Sequence, residues 1–403
     1  MNHLLNKPYY QNLIKMMEKQ GSPFFFYDLD QLQNHLQYMD SLLDQDIKLW
    51  YACKANPMSA ILKIFRNLNF GFDVASKGEL DQALRSGIKA DGILSTGPAK
   101  SKTYLKSLLD NEVRIIVLES FQQALDLNDL SKDLGIKPKT LLRIQLSWEG
   151  GQSVLGGNKI TPFGLSPEDW EKYPIKDLTN INIIGLHAFQ WGNILDIENL
   201  EHIWNETCKR LIKFSKKNEL NLEVLDLGGG LGIPYEKDQK NLKFSDVSKI
   251  LSNLKKKYEL KKIWMELGRF AVGECGYYFA KIIDRKKVRG QEILVLNGGI
   301  NHIARPALVN QFFPCHPFNI STQKNSIFQI HGPLCTALDY LGTFELPDNL
   351  KSDDWLVFSK IGAYGFTEAM PFFLCHEIPS ESIFYKGDFM SPRPPKTSND
   401  WMV

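Results

Sequence analysis

Lys54 stands in the run Tyr51-Ala52-Cys53-Lys54-Ala55-Asn56-Pro57, where an apolar stretch containing Ile47, Leu49, Trp50 and Tyr51 gives way to a chain-turning Asn-Pro. A lysine flanked by aromatic rings and small residues can lose solvation, and desolvation lowers an amine's pKa toward that of a nucleophile or Schiff-base former. A lysine that merely snorkels from a strand end would look the same in isolation, so its companions decide. The run Leu225-Asp226-Leu227-Gly228-Gly229-Gly230-Leu231-Gly232 strings together bare backbone N–H groups that can form a nest for an anion such as phosphate. A structural turn accounts for most triple glycines. Met265-Glu266-Leu267-Gly268-Arg269 adds a carboxylate and a guanidinium, a pair that taken alone reads as a rim salt bridge.

The elements that must position these groups follow a rhythm. Apolar segments at 47–53, 70–75, 92–95, 113–118, 140–146, 181–189, 222–227 and 262–266 alternate with helical patterns over much of their length. Eight such units predict a (β/α)8 barrel, which carries its chemistry at the C-terminal ends of its strands. A doubly wound open sheet is the alternative, but eight units at this spacing favour closure. The polar residues gather at those ends: Lys54, Asp73, Ser76, Gly97, Glu119, His187 to Asn193, Gly228 to Gly230 and Glu266 to Arg269, with Arg143 inside the fifth segment. A glycine-rich stretch from Gly150-Gly151 through Gly156-Gly157 to Phe163-Gly164 is long enough to cover the barrel mouth, and Ser166 caps the helix after it. Past Gly276 the pattern turns to strands at 278–283, 292–296, 326–331, 355–359 and 382–385. The expected organisation is a barrel over 30–272 and an all-β domain made of 273–403 together with 1–29, completed by the N-terminal strand PFFFY at 23–27. The last residues, MSPRPPKTSNDWMV, read as a surface tail.

Composition sets limits on function. The chain has 403 residues, 43% hydrophobic and 23% charged, enough to bury a large core in two domains. Its 48 basic and 46 acidic residues leave a net charge of +2, which calls for neither nucleic acid nor an acidic membrane. The opening 21 residues read as an amphipathic helix, not a signal peptide, and no apolar run is long enough to span a bilayer. Six scattered cysteines with no CxxC pair argue against zinc or a disulfide framework and for a reducing cytoplasm.

In their order along the chain, YACKAN at Lys54, FDVAS at Phe72 to Ser76, LDLGGG at Leu225 to Gly230, ELGR at Glu266 to Arg269, GPLC at Gly332 to Cys335 and GAYG at Gly362 to Gly365 resemble the barrel-fold (fold type III) pyridoxal-phosphate decarboxylases. This group contains the diaminopimelate, ornithine and arginine enzymes, and the resemblance runs from about Phe24 to Tyr385. It implies that Lys54 holds pyridoxal 5'-phosphate as a Schiff base and that Glu266 keeps the pyridine nitrogen protonated. It further implies that Gly228, Gly229, Gly230, Arg269 and Tyr364 hold the phosphate. Asp73 and Arg143 match positions near the cofactor, though each also reads as a member of a structural ion pair. Cys335, as proton donor, and Asp339 would reach into the partner subunit's barrel in a homodimer with shared active sites.

Two departures shape the substrate expectation. Where the family has a His-x-Gly-Ser stretch, this chain reads His187-Ala188-Phe189-Gln190-Trp191-Gly192-Asn193; Phe189 takes the stacking position, the phosphate-binding serine is lost, and His187 reads as a satisfied strand histidine. After Cys335 stands uncharged Thr336, where diaminopimelate and ornithine enzymes have an acid that grips a distal amine. The run GPLCTALD therefore resembles a branch serving secondary metabolism, including a decarboxylase acting on a carrier-held aminoacyl group. Asn301 to Pro306 resembles the segment whose arginine, here Arg305, binds a substrate carboxylate. The expected activity is decarboxylation of an amino acid or derivative, carboxylate-bearing or carrier-linked. Diaminopimelate decarboxylase proper, an amino-acid racemase and a non-catalytic regulatory homologue are the alternatives; Glu266 argues against the racemase, which would carry an arginine there, and Lys54, Cys335 and Tyr364 argue against the inactive homologue.

Overall fold

The computed structural model describes residues 4–148 and 160–402; the predicted cover loop at Gly150-Gly151 and Gly156-Gly157 lies outside them. The chain divides into two compact units, one of residues 35–234 and 240–271, the other of residues 1–34, 235–239 and 272–403.

The first unit is a closed barrel of eight parallel strands, β2 (Ile47–Ala52), β3 (Gly71–Val74), β4 (Ile93–Ser95), β5 (Ile115–Leu118), β6 (Lys139–Arg143), β7 (Asn182–His187), β8 (Val224–Asp226) and β9 (Lys262–Leu267). Closure comes from β9 pairing with β2, Ile47 opposite Ile263 through Tyr51 opposite Leu267. The strands read as continuous apolar runs because both faces are covered, the inner by side chains filling the barrel and the outer by helices. Five of the helices start on side-chain caps: Ser76, Ser101, Ser120 and Ser166 each accept the backbone N–H three residues on, and Asp196 caps the longest described, Ile197–Lys217.

The inner layer contains Trp50, Leu94, Val117, Leu141, Ile184, Val224 and Trp264. The Trp50 and Trp264 rings meet edge to face at 4.9 Å. Gly71 makes room for the first of them, since a Cβ there would lie 2.1 Å from the Trp50 ring.

The second unit is built on a nine-stranded sheet. Its path runs β14 (Tyr340–Pro347), β13 (Asn325–His331), β11 (Gln291–Leu296), β10 (Gly276–Val288), β1 (Phe24–Asp28), β16 (Ser380–Tyr385) and β17 (Asp388–Arg393), with β15 (Trp355–Ser359) on β10 and β12 (Cys315–Pro317) on β15. Strand β1 is buried throughout because it is interior, antiparallel to β10 and parallel to β16. The N-terminal strand thus completes the β unit, as the sequence leads one to expect. Helix α1 (Tyr10–Gln20) lays Leu13, Met16 and Met17 into the core that also holds Phe24, Phe26 and Phe279.

The tail differs from expectation. Met390 to Arg393 belong to the edge strand β17, with Met390 opposite Ile383 and Arg393 opposite Glu381. Pro392 is tolerated there because an edge strand leaves one row of backbone N–H groups without a ladder to serve.

Trp50→Ala should leave a void in the barrel's inner layer that its neighbours cannot collapse into. The expected loss is about 3 to 5 kcal/mol, read as a lower urea midpoint; an unchanged midpoint would show that the layer does not depend on the indole.

Candidate active site

Each barrel strand delivers a polar side chain at its C-terminal end, and the described residues show how these groups are held. Lys54 lies in the single 3-10 turn Cys53–Ala55 that follows β2. The turn buries Cys53 and Ala55 and leaves Lys54 exposed, so the expected desolvation of this lysine is not what the structure shows. Its ammonium is instead close enough to Asp73, Glu79 and Glu266 to favour ionisation of all three.

Glu266 on β9 is buried, and His187 Nε2 at the end of β7 hydrogen-bonds its Oε1 at 3.0 Å. Burial opposes a charge on Glu266, yet His187, Lys54 and Arg143 outweigh it and hold the carboxyl at about 2. Burial likewise resists a charge on His187, and the Glu266 and Asp226 carboxylates override it and raise the imidazole. The second acid, Asp226 at the end of β8, is pushed up to about 7 by burial, with the Glu266 charge adding to it. His187, Asp226 and Glu266 present atoms within 4.8 Å of one another.

Asp73 in β3 accepts the Thr96 hydroxyl at 2.7 Å; burial first, and the Glu266 charge second, raise it to about 8. Arg143 at the end of β6 is paired with buried Glu119 at 2.9 Å, and its guanidinium lies 4.7 Å over the Phe163 ring. Glu119 also accepts the Gly97 N–H at 2.9 Å. Lys100, buried, donates to the Gly97 carbonyl, and burial lowers it to about 8. Sequence reasoning passed over Thr96, Lys100 and Asp226; the signal for the last was a lone acid closing an apolar strand, the same pattern that singled out Asp73.

The glycine run is shaped by its surroundings. Gly228 and Gly230 have φ of +63° and +113°. A Cβ on Gly228 would meet Ala188 O and Phe189 Cδ2 at 2.8 Å, one on Gly229 would meet Glu266 O at 2.5 Å, and one on Gly230 would meet Trp191 O at 2.6 Å. Phe189 therefore lies against the glycines, while His187 lies against Glu266. The Gly228 N–H is engaged by Asp226 Oδ1 at 2.9 Å, which leaves Gly229 and Gly230 as the nest's donors toward an anion. Arg269, half-buried, opens the short helix after β9.

The residues expected from the β unit are described within that unit. Tyr364 is held at φ +59°, a strained value for a non-glycine residue, and the Arg305 guanidinium lies 5.0 Å over its ring. Arg305 Nη1 is ion-paired with Glu368 Oε2 at 2.7 Å. Asp339 is buried, its two carboxylate oxygens accepting the N–H groups of Ile300 at 2.8 Å and Leu334 at 2.7 Å. Cys335 is exposed.

The barrel end suits a polar, flat ligand carrying an anion. Buried Glu119 Oε2, His187 Nδ1 and Asp226 Oδ2 make no hydrogen bond within the protein, which buried polar atoms seldom do unless a ligand or water completes them. An ionised carboxylate at Glu266, a glycine nest and an amine at Lys54 match a pyridinium nitrogen, a phosphate and an aldehyde in turn.

The Asp73 proton gives a stability signature. The folded protein holds it up to about pH 8, whereas an unfolded chain releases it near pH ~4. The unfolded state therefore binds fewer protons between those values, and stability falls as pH rises through that window, by at most about 1.4 kcal/mol per pH unit. In ligand-free protein, urea midpoints between pH 5 and 8 should decline less for Asp73→Asn than for wild type; parallel curves would show that Asp73 carries no such proton.

Comparison with known proteins gives the family. Residues 29–273 match the family described as pyridoxal-dependent decarboxylase, pyridoxal binding domain. A Staphylococcus aureus 2-[(L-alanin-3-ylcarbamoyl)methyl]-2-hydroxybutanedioate decarboxylase is 28% identical over 388 residues, 92% of this chain and 96% of that protein. An L-glutamyl-[BtrI acyl-carrier protein] decarboxylase from Niallia circulans is 24% identical over 395 residues, 94% and 92% of the two chains. The crystal structure of Helicobacter pylori diaminopimelate decarboxylase with L-lysine shares the fold, with a TM-score of 0.87 at 23% identity over 96% of this chain and 98% of that one. With its eight-stranded barrel spanning the matched residues, this chain belongs to the pyridoxal-dependent decarboxylases.

Proposed function

We propose that this protein removes the α-carboxylate of an amino acid or amino-acid derivative, using pyridoxal phosphate carried on Lys54. The observation that carries the reading is the buried, ionised Glu266 supported by His187. A carboxylate held at about 2 keeps a pyridine nitrogen protonated, and the bound cofactor then serves as the sink for the electron pair left by departing carbon dioxide. Glu266 does this only while His187, Lys54 and Arg143 offset its desolvation. The Gly229 and Gly230 N–H groups, Arg269 and the Tyr364 hydroxyl are assigned to the phosphate, Phe189 to the ring face, and Asp73 and Arg143 to the surroundings of the cofactor.

Cys335, exposed and uncoupled from any disulfide, is assigned to return a proton to the substrate carbon. The family plan behind that assignment is a homodimer in which Cys335 serves the partner's Lys54, with Arg305 and Asp339 on the substrate side. Free cysteines and the absence of any described helix long and apolar enough to cross a membrane support a cytoplasmic enzyme. The Staphylococcus aureus and Niallia circulans relatives, one named for a citrate-like amide and the other for a carrier-bound glutamyl group, support a carboxylate-bearing or carrier-linked substrate.

Purified protein should be yellow, and borohydride should fix the cofactor to Lys54; Lys54→Ala should lose the covalent link. Peptide mapping of the reduced cofactor to any other lysine would overturn the assignment. Lys54→Ala and Cys335→Ala should each be inactive alone, and mixing the subunits should restore up to about a quarter of wild-type activity, because a shared-site heterodimer keeps one intact site. A fully active monomer would refute the two-subunit site.

A further inference from the structure

We infer that Asp226 is a positioning residue that joins the two ends of the cofactor site: one carboxylate oxygen holds the glycine nest in shape, and the charge of the same side chain supports the His187–Glu266 pair. This rests on the decarboxylase reading and adds to it a tie between the phosphate end and the group at the pyridine nitrogen.

Strand β8 is three residues long, and the two-residue step that carries Val224 of the inner layer to Asp226 also carries Trp264 to Glu266 on β9. Both acids therefore face the barrel interior, one step above the apolar layer. In the ladders Asp226 pairs with His187 on one side and with Trp264 on the other. Its side chain is wholly buried, and one of its oxygens lies within 4.8 Å of a His187 nitrogen and of a Glu266 oxygen.

Four residues thus close a circuit. His187 Nε2 meets Glu266 Oε1 at 3.0 Å, the Glu266 N–H donates to the Gly228 carbonyl at 2.8 Å, and the Gly228 N–H donates to Asp226 Oδ1 at 2.9 Å. Asp226 stands beside His187 and completes the ring. Gly228 is gripped at both its N–H and its C=O, which sets the direction in which Gly229 and Gly230 run on.

The Gly228 contact alone is a local turn that an asparagine would make equally well, without the cost of burying a charge. The acid answers to more than the turn. Asp226 Oδ2 and His187 Nδ1 are buried and make no hydrogen bond among the described residues, a condition that calls for a neighbouring charge or a ligand. Burial resists a charge on His187, and Glu266 followed by Asp226 overrides it. His187 is in turn the partner that does most to keep Glu266 ionised. The other charged groups facing this pair are Arg143, opposite His187 on β6, and Lys54 beyond Glu266.

The test compares full-length wild type, Asp226→Asn and Asp226→Ala, each freed of cofactor and then titrated. The asparagine keeps an acceptor for the Gly228 N–H and loses the charge, whereas the alanine loses both. One readout is the protonation midpoint of the His187 imidazole, followed by its nitrogen resonances in ligand-free protein. The other is the ratio of affinities for pyridoxal phosphate and pyridoxal, followed by absorbance. Asp226→Asn should lower the His187 midpoint and keep the ratio. Asp226→Ala should lower the midpoint too and cut the ratio about 3- to 10-fold, the loss of one hydrogen bond behind the nest.

An unmoved His187 midpoint in Asp226→Asn overturns the inference, and so does an unchanged ratio in Asp226→Ala. Equal weakening of both ligands in both variants, with the midpoint in place, is the signature of a purely structural residue and overturns it as well. Should Asp226→Ala not fold, Asp226→Val also lacks an acceptor, continues the apolar strand and takes its place; Asp226→Asn decides the His187 arm regardless. Failure of wild type to bind pyridoxal phosphate, or borohydride labelling away from Lys54, would instead overturn the underlying decarboxylase reading.

Discussion

A buried carboxylate that must stay ionised is the constraint on which the barrel end depends. Taking Glu266 out of water costs several kcal/mol unless partners offset it, and the offset comes from His187 on β7, Lys54 after β2 and Arg143 on β6. Those partners impose costs of their own. Arg143 needs Glu119, and Glu119 is tied to the Gly97 loop. Burial raises Asp73 and Asp226, and the same negative charge adds to it. A barrel is suited to this because every strand ends at the same rim.

Backbone proximity sets the second condition. The glycines at 228–230 are required by the Phe189, Glu266 and Trp191 atoms that crowd them, whatever anion they also hold. Packing alone therefore calls for glycine at these positions, independently of the anion proposed for them. At the other end of the inner layer, Gly71 gives way to the Trp50 indole for the same reason.

The β unit solves a different electrostatic problem. Its loops hold Arg305, Glu368 and Asp339 as matched sets, cation against carboxylate and carboxylate against backbone N–H. Such matching fixes the loops, and the strain at Tyr364, φ +59° under the Arg305 guanidinium, is sustained by that fixation.

Much of this was legible in the residues. Eight apolar runs separated by capped helices determined the barrel, because parallel strands buried on both faces need unbroken apolar sequence, and the run PFFFY declared an interior strand before its partners were known. The order of YACKAN, LDLGGG, ELGR and GAYG likewise determined the family. The tertiary structure alone decided what depends on partners far apart in sequence. Strands Cys315–Pro317, Tyr340–Pro347 and Asp388–Arg393 lacked a local signal because a ladder, not propensity, holds short or proline-containing segments. Lys54 was read as desolvated because its neighbours are apolar, but the turn that buries them leaves it outside. His187 was read as a satisfied strand histidine; its partner, Glu266, is 79 residues away. Arg305 was matched to a carboxylate-binding segment by resemblance alone, and its ion-pair partner, Glu368, lies 63 residues on. Sequence specifies which charges a protein has, and only the fold determines which of them cancel, because electrostatic energy depends on distance in space and on burial.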